Sequence, residues 1–400
     1  MSESRFVDAL AELIVRFGAN VQPGQIVMLH SEPGKETLTR AIADVAYARG
    51  AKFVDLQVFD PHLKRARALH ADPETLDFVP SWYGERIMSL GELRGARIAL
   101  SGPTDPHIMD GIDPELVGRD MLPRVRESGI VVNARTTNWT AAPCPTLGWA
   151  QLVYPELDAG TALGRLWEEI AYVCRLVDGD AVTAWELRLD ELMDVAGRLD
   201  RLGLDALRFD GPGTELTVGL LPSSRWRAPR LTTVDGIVHV PNIPTEEVFT
   251  TPDPGRVDGF VTSTKPLFAA GALIRGLRVR FERGEALSIE ADDSAAALQA
   301  MSRRDAGAAR LGEVALVDRR GRVGRLQTVF FDTLLDENAA SHIALGNGVR
   351  FAVEDEDDVA RINHSAVHID FMIGGDDVSV TGLASDGAEV PLLRGGMWQI

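Results

Sequence analysis

The chain has 400 residues, a formal net charge of −18 at neutral pH, 45% apolar and 25% charged residues, and two cysteines, Cys144 and Cys174. That length predicts two or three domains, and the composition is that of a folded globular protein rather than a disordered one. So acidic a surface argues against a nucleic-acid partner, which requires a basic face, and two cysteines rule out a disulfide framework, a zinc ribbon or a cysteine-held cluster. The longest apolar run, Leu267 to Ile274, is far short of a membrane span. The first residues show no basic stretch followed by an apolar block, so no signal peptide is expected. These features predict a soluble, cytoplasmic protein with no membrane partner.

In chain order, Phe6, Ala9, Leu10, Leu13 and Ile14 recur at helical spacing. After the turn at Pro23 and Gly24, Gln25–Leu29 reads as a strand, and Glu36–Arg49 as a helix closed by Gly50. Lys52–Phe59 and Arg97–Leu100 read as strands, Pro114–Ser128 as a helix, and Ile130–Asn133 as a further short strand. This alternation predicts an α/β fold, with an N-terminal domain on a parallel sheet. No Gly-x-Gly-x-x-Gly loop and no Walker A motif follows any strand, so the domain reads as a scaffold or lid rather than a nucleotide site.

Two long helices are expected at Ala162–Val177 and Ala181–Leu202, with a domain boundary near Gly203. That division gives residues 1–203 as the N-terminal domain and 204–400 as the C-terminal one. Short β-like runs follow, at Leu207–Asp210, Glu215–Leu220, Ile237–Val240, Leu277–Glu282, Leu287–Glu290, Val314–Val317, Val367–Ile373 and Val378–Thr381. Turns such as Gly211-Pro212-Gly213 separate them. The second half is therefore expected to be α+β, with a large mixed or antiparallel sheet. The charge run Glu354–Asp358 reads as a solvated loop.

The residues with metal chemistry fall in this second half. Three of eight histidines, His342, His364 and His368, lie in the last 60 residues. If Val367–Ile373 is a strand, His368 and Asp370 share one face, which makes half of a metal site or an ordinary hydrogen-bonded pair. His342 follows a run of small residues, Glu313 precedes Val-Ala-Leu-Val, and Glu246 and Glu247 lie in a proline-bounded turn. Each carboxylate alone reads as an exposed acid. Together, two histidines and several carboxylates are the inventory of a dinuclear hydrolytic site.

Four segments in order carry a resemblance. Pro241–Thr250 contains N-x-P-T-E-E-V-F-T, Leu311–Ala315 is L-G-E-x-A, Asp336–Gly346 is D-E-N-A-x-x-H-I-A-L-G, and Asn363–Gly374 is N-x-S-x-x-H-x-D-F-M-I-G. Together they resemble the aminopeptidase T / aminopeptidase S family of dinuclear metallopeptidases, over nearly the whole chain. The resemblance implies an N-terminal α/β domain, a C-terminal domain carrying the metals, and a homodimer that encloses them. It implies two divalent ions (zinc, cobalt, manganese or magnesium) on Glu247, Glu313, His342, His368 and Asp370. Glu246, or another uncoordinated carboxylate, is the candidate general acid and base. In the family, the third motif continues to a tyrosine that ligates metal or donates to the transition state; here Val349 stands in its place.

The first functional expectation is a metal-dependent aminopeptidase that removes N-terminal residues from peptides or small amides. A second is a mononuclear Fe(II) ring-cleaving dioxygenase of the dihydroxypyridine type, using His342, His368 and Asp370. A third is a catalytically weak homologue that only binds peptides or amides, which the valine at position 349 favours.

Overall fold

The computed structural model describes residues 3–120, 122, 123, 125–269 and 271–400. In the first half, strands β1 (Ile26–Ser31), β2 (Phe53–Val58), β3 (Ala96–Ser101) and β4 (Asn138–Pro143) form a parallel sheet in the order β2-β1-β3-β4. β1 is buried on both faces, with Val27 and Leu29 on one and Met28 on the other. That is why it reads as a continuous apolar run. Helix Glu36–Ala48 buries Leu38, Thr39, Ile42 and Ala46 at helical spacing, and Gly50, at φ +90°, turns the chain into β2. After β1 the chain moves outward to β2, then returns to the other side for β3. The strand order therefore reverses between the carboxyl ends of β1 and β3.

Two expectations in this half change. The stretch 114–128 is not one helix: Pro114–Arg119 and Arg126–Asn133 are separate helices with Pro123, which has no N–H to donate, between them. Residues 121 and 124 lie outside the described residues. Ile130–Asn133 is the end of the second helix, not a strand. Only Val131 of this run is buried, against Met28, Ile87 and Leu90, while Ile130 faces outward. A run of three apolar residues, Ile130 to Val132, carries too little periodicity to separate the two readings. The strand that completes the sheet comes five residues later, as β4.

Helices Ala159–Val173 and Ala181–Arg201 lead into the antiparallel half, whose first strand begins at Leu204. One sheet has eight strands, in the order 285–290, 278–282, 252–262, 214–220, 204–211, 379–384, 389–394, 397–398. A second, four-stranded sheet runs His368–Met372, His342–Gly346, Leu311–Val317, Glu247–Thr250. One continuous buried cluster takes in Phe6, Leu166, Trp185, Phe209, Leu345 and Phe371, so both halves pack on a shared core. The charge run at Glu354–Asp358 is partly ordered into a helix, Glu356–Val359, which Asp355 caps by accepting from Asp357 N at 2.8 Å. Asp358 is buried and accepts from Ser223 N at 2.8 Å.

One buried ion cluster ties the helices to the four-stranded sheet. The Glu246 carboxylate accepts from Arg188 Nε at 2.7 Å, Arg175 Nη2 at 3.1 Å and the backbone N–H of Arg322 at 3.2 Å. Its own N–H donates to Asn338 Oδ1 at 2.6 Å. Arg175 also lies over the Trp185 ring, 4.7 Å from its centroid. Removing one partner of a buried pair leaves an uncompensated charge, which costs about 3–5 kcal/mol. Glu246→Ala should therefore lower unfolding free energy in urea by about that amount. A loss below about 1 kcal/mol, the scale of an exposed pair, would contradict the structural role.

Candidate metal centre

The four-stranded sheet builds the site through its register. Glu313 and Asp370 both pair with Ala344, His342 pairs with Ala315, His368 with Gly346, and Glu247 with Val317. Cross-strand partners project to the same side of a sheet. Glu247, Glu313, His342, His368 and Asp370 therefore stand on one face. The other face carries Val248, Val314, Leu316, Ile343, Leu345, Ile369 and Phe371, none more than 3% exposed. That buried apolar face fixes the register, because a one-residue slip would turn all seven outward. Ala315 and Ala344 are the spacers between the functional side chains, and their small size leaves room above the sheet.

Gly346 ends its strand at φ +106°, where a Cβ would meet Val367 O at 2.1 Å. Only glycine fits there. The chain then turns so that Asn347 O accepts from His368 Nδ1 at 2.9 Å. His342 Nδ1 likewise donates to Glu337 O at 3.0 Å. A carbonyl can only accept, so both rings carry a proton on Nδ1 and present Nε2 to the carboxylates. His342 Nε2 lies 3.0 Å from Glu247 Oε2, and His368 Nε2 lies 3.4 Å from both Glu313 Oε2 and Asp370 Oδ1.

Ligand-type atoms cluster in three trios, each within 4.8 Å: Glu247–Glu313–His342, Glu313–His368–Asp370 and Glu337–His342–Asp370. Four carboxylates thus share two imidazoles, an excess of negative charge even with both rings protonated. The electrostatics follow. Burial pushes the Glu313 carboxyl above the ordinary carboxylate range, and burial, then Asp370 and Glu247, push Glu337 well above it. Burial opposes charge on His342, but Glu247 outweighs it and lifts the ring to about 10. His368 is likewise raised well above its usual value, against burial, by Asp370 and Glu313.

This donor set fits divalent cations. Glu247 Oε2 is buried and faces His342 Nε2 at 3.0 Å. With Nδ1 already protonated, two lone pairs meet there unless a proton or a cation lies between them. Carboxylate and imidazole donors suit zinc and the borderline first-row ions.

The remaining expected residues lie elsewhere. Adjacent residues at a strand start take opposite sides, so Glu247 enters the cluster while Glu246 goes to the arginines. The expectation of Glu246 as acid and base is not supported by this placement. His364 is exposed. Val349 is half-buried, with its N–H donating to Thr251 Oγ1 at 3.1 Å. Arg350 pairs with Glu356 at 2.6 Å. Sequence reasoning does not single out Glu337, which sits within the third motif. Its neighbours hold the turn: Asp336 accepts from Phe330 N at 3.0 Å, and Asn338 donates to Leu334 O at 2.8 Å. Glu337 is the motif's carboxylate that reaches the cluster, and Asn242 Nδ2 donates to its Oε1 at 3.2 Å.

Aminopeptidase T of Thermus thermophilus is 38% identical over 404 residues, covering 99% of each chain. Aminopeptidase PepS of Streptococcus thermophilus is 34% identical, covering 98% of each. The solved structure of the Thermus thermophilus enzyme AmpT superposes with a TM-score of 0.87 at 37% identity, covering 100% of both chains. A 2,5-dihydroxypyridine dioxygenase from Pseudomonas putida shares the fold at a TM-score of 0.52 and 11% identity, covering 99% of this chain and 96% of that one. The sequence profile of the thermophilic metalloprotease family M29 matches residues 4–398, and the chain belongs to that family.

Proposed function

We propose that the protein is a metal-dependent aminopeptidase that holds two divalent ions, zinc, cobalt, manganese or magnesium, on Glu247, Glu313, His342, His368 and Asp370. The observation that carries this reading is the pair of trios that share Glu313, one with Glu247 and His342, the other with His368 and Asp370. A shared carboxylate between two donor sets is what a two-ion site needs. Bound ions supply Lewis acidity and lower the pKa of a coordinated water from about 15.7 toward about 7.

The chain's own residues do the rest. Glu337 replaces Glu246 as general acid and base. It stands beside His342 and Asp370, outside the five ligands, with one oxygen oriented by Asn242. In this role it takes a proton from the attacking water and returns it to the leaving amine. The negative cluster attracts the positively charged N-terminus of the substrate, a peptide or small amide. A single Fe(II) on His342, His368 and Asp370 would leave Glu247, Glu313 and Glu337 buried without matching positive charge, so the dioxygenase reading is not adopted. The reading includes a homodimer, taken from the resemblance, and a cytoplasmic location, taken from the sequence composition. It also keeps 1–203 and 204–400 as domains, supported by the parallel sheet ending at Pro143 and the antiparallel strands starting at Leu204.

Three outcomes test it. Purified protein should release amino acids from aminoacyl amides, and chelation should stop release and lower Tm by about 5 °C or more, on the scale of losing a ligand at ~100 times its Kd. Re-addition of a divalent ion should restore both. Glu337→Gln should reduce kcat by roughly 10²–10⁴ at unchanged metal content, while loss of metal in that variant would make Glu337 a ligand instead. Val349→Tyr should raise turnover, because an absent transition-state donor typically costs ~10²–10³. A fall in turnover at saturating metal would show that another group already fills the role.

A further inference from the structure

A cavity of about 170 Å³ opens where the parallel sheet reverses its strand order. It is lined by Glu32, just past β1, and by Pro103, Thr104 and Asp105, just past β3. In open parallel sheets, the crevice outside the carboxyl ends of the strands at the reversal point is where ligands bind, because diverging connections leave a gap there. None of the six cluster residues lines this cavity. A volume near 150 Å³ already admits a benzene-sized molecule, so there is room for a small organic ligand.

The lining specifies chemistry as well as size. Glu32 and Asp105 place carboxylates on the β1–β3 side. Glu32 is 3.2 Å from Lys35 Nζ and accepts from Thr104 Oγ1 at 3.4 Å, which holds it in place. Lys64, on helix Pro61–His70, brings an ammonium group to the cavity. Its stem is buried, and its Nζ also donates to Leu122 O at 3.3 Å. Apolar walls come from both halves of the chain: Phe59, Ile108 and Met109 from the first, Phe268 and Met301 from the second. Asp120 also lines the cavity, but its buried carboxylate is taken up by Arg67 Nη1 at 3.2 Å and Leu122 N at 3.1 Å; the other two carboxylates, one ammonium and an apolar wall within one such volume match a zwitterion with an apolar side chain.

We infer that this crevice binds a free α-amino acid with an apolar side chain, its ammonium toward Glu32 and Asp105, its carboxylate toward Lys64, and its side chain on the Phe268–Met301 wall. The inference stands on the cavity and not on the aminopeptidase reading. If both hold, the ligand is of the same class as the released product, and the crevice is a product-responsive site bridging the two halves of the chain.

Isothermal titration of the full-length, metal-loaded protein with L-leucine tests it. Leucine should bind with one site per chain. 3-Methylbutylamine, which lacks the carboxylate and has no bond to hydrolyse, and 4-methylpentanoate, which lacks the amine, should each bind about tenfold more weakly or worse, the loss expected for one charge-assisted contact. Glu32→Gln should weaken leucine by a similar factor. Lys64→Met, at the other end of the crevice, should weaken leucine likewise, so the assignment stays testable even if Glu32→Gln folds poorly. No heat at millimolar leucine, equal binding of all three ligands, or undiminished leucine binding in folded Glu32→Gln would each overturn the inference, the last by placing the amino acid elsewhere.

Discussion

Four carboxylates, Glu247, Glu313, Glu337 and Asp370, meet two imidazoles on one side of the sheet, all of them buried except His368 and Asp370, which are partly buried. Isolated buried carboxylates cost several kcal/mol each unless positive charge is brought to them. Two protonated rings do not balance four anions, and both rings already use Nδ1–H on backbone carbonyls. The pocket is therefore poised for cations, and the surrounding structure is organised around tolerating that imbalance. The carboxylates of Glu313 and Glu337 are pushed up by burial and by their acidic neighbours, a cost that bound cations would offset.

The sheet makes the imbalance possible. Its back face, from Val248 to Phe371, is apolar but for the buried Thr250 and locks the register. With the register locked, the front face must present its acids and histidines whatever their mutual repulsion. Rigidity is supplied from outside the sheet as well. Glu246 couples the strand that begins at Glu247 to Arg175 and Arg188 on the helical side, and through Asn338 to the turn that carries Glu337. One buried ion cluster thus fixes both a ligand candidate and the candidate acid-base residue, without touching either carboxylate's chemistry.

Much of this is legible in the sequence because a strand has a period of two. That period alone assigns His368 and Asp370 to one face, and the observed pairing with Gly346 and Ala344 agrees. The motif order points to the same five residues that the sheet brings together. Glu246 and Glu247 are harder, since adjacent acids at a strand start differ only in parity, and parity depends on where the strand begins. Glu337 is hidden for a different reason. It lies in a short turn with no periodicity, and its neighbours Asp336 and Asn338 are equally polar yet hydrogen-bond to backbone groups. Ile130–Asn133 reads as a strand because its three apolar residues fit either period, and only packing against Met28 and Leu90 decides for the helix. The crevice at the β1–β3 reversal leaves no trace in the sequence, since it depends on strand order.

The central claim is that two cation positions share Glu313. Anomalous diffraction from crystals grown with zinc or manganese tests it most directly. The account predicts two peaks, one bounded by Glu247 and His342, the other by His368 and Asp370, each at about 2.0–2.2 Å from its nearest ligand atoms for zinc, with Glu313 reaching both. A single peak held by His342, His368 and Asp370, with Glu247 and Glu313 outside ligand distance, would contradict it.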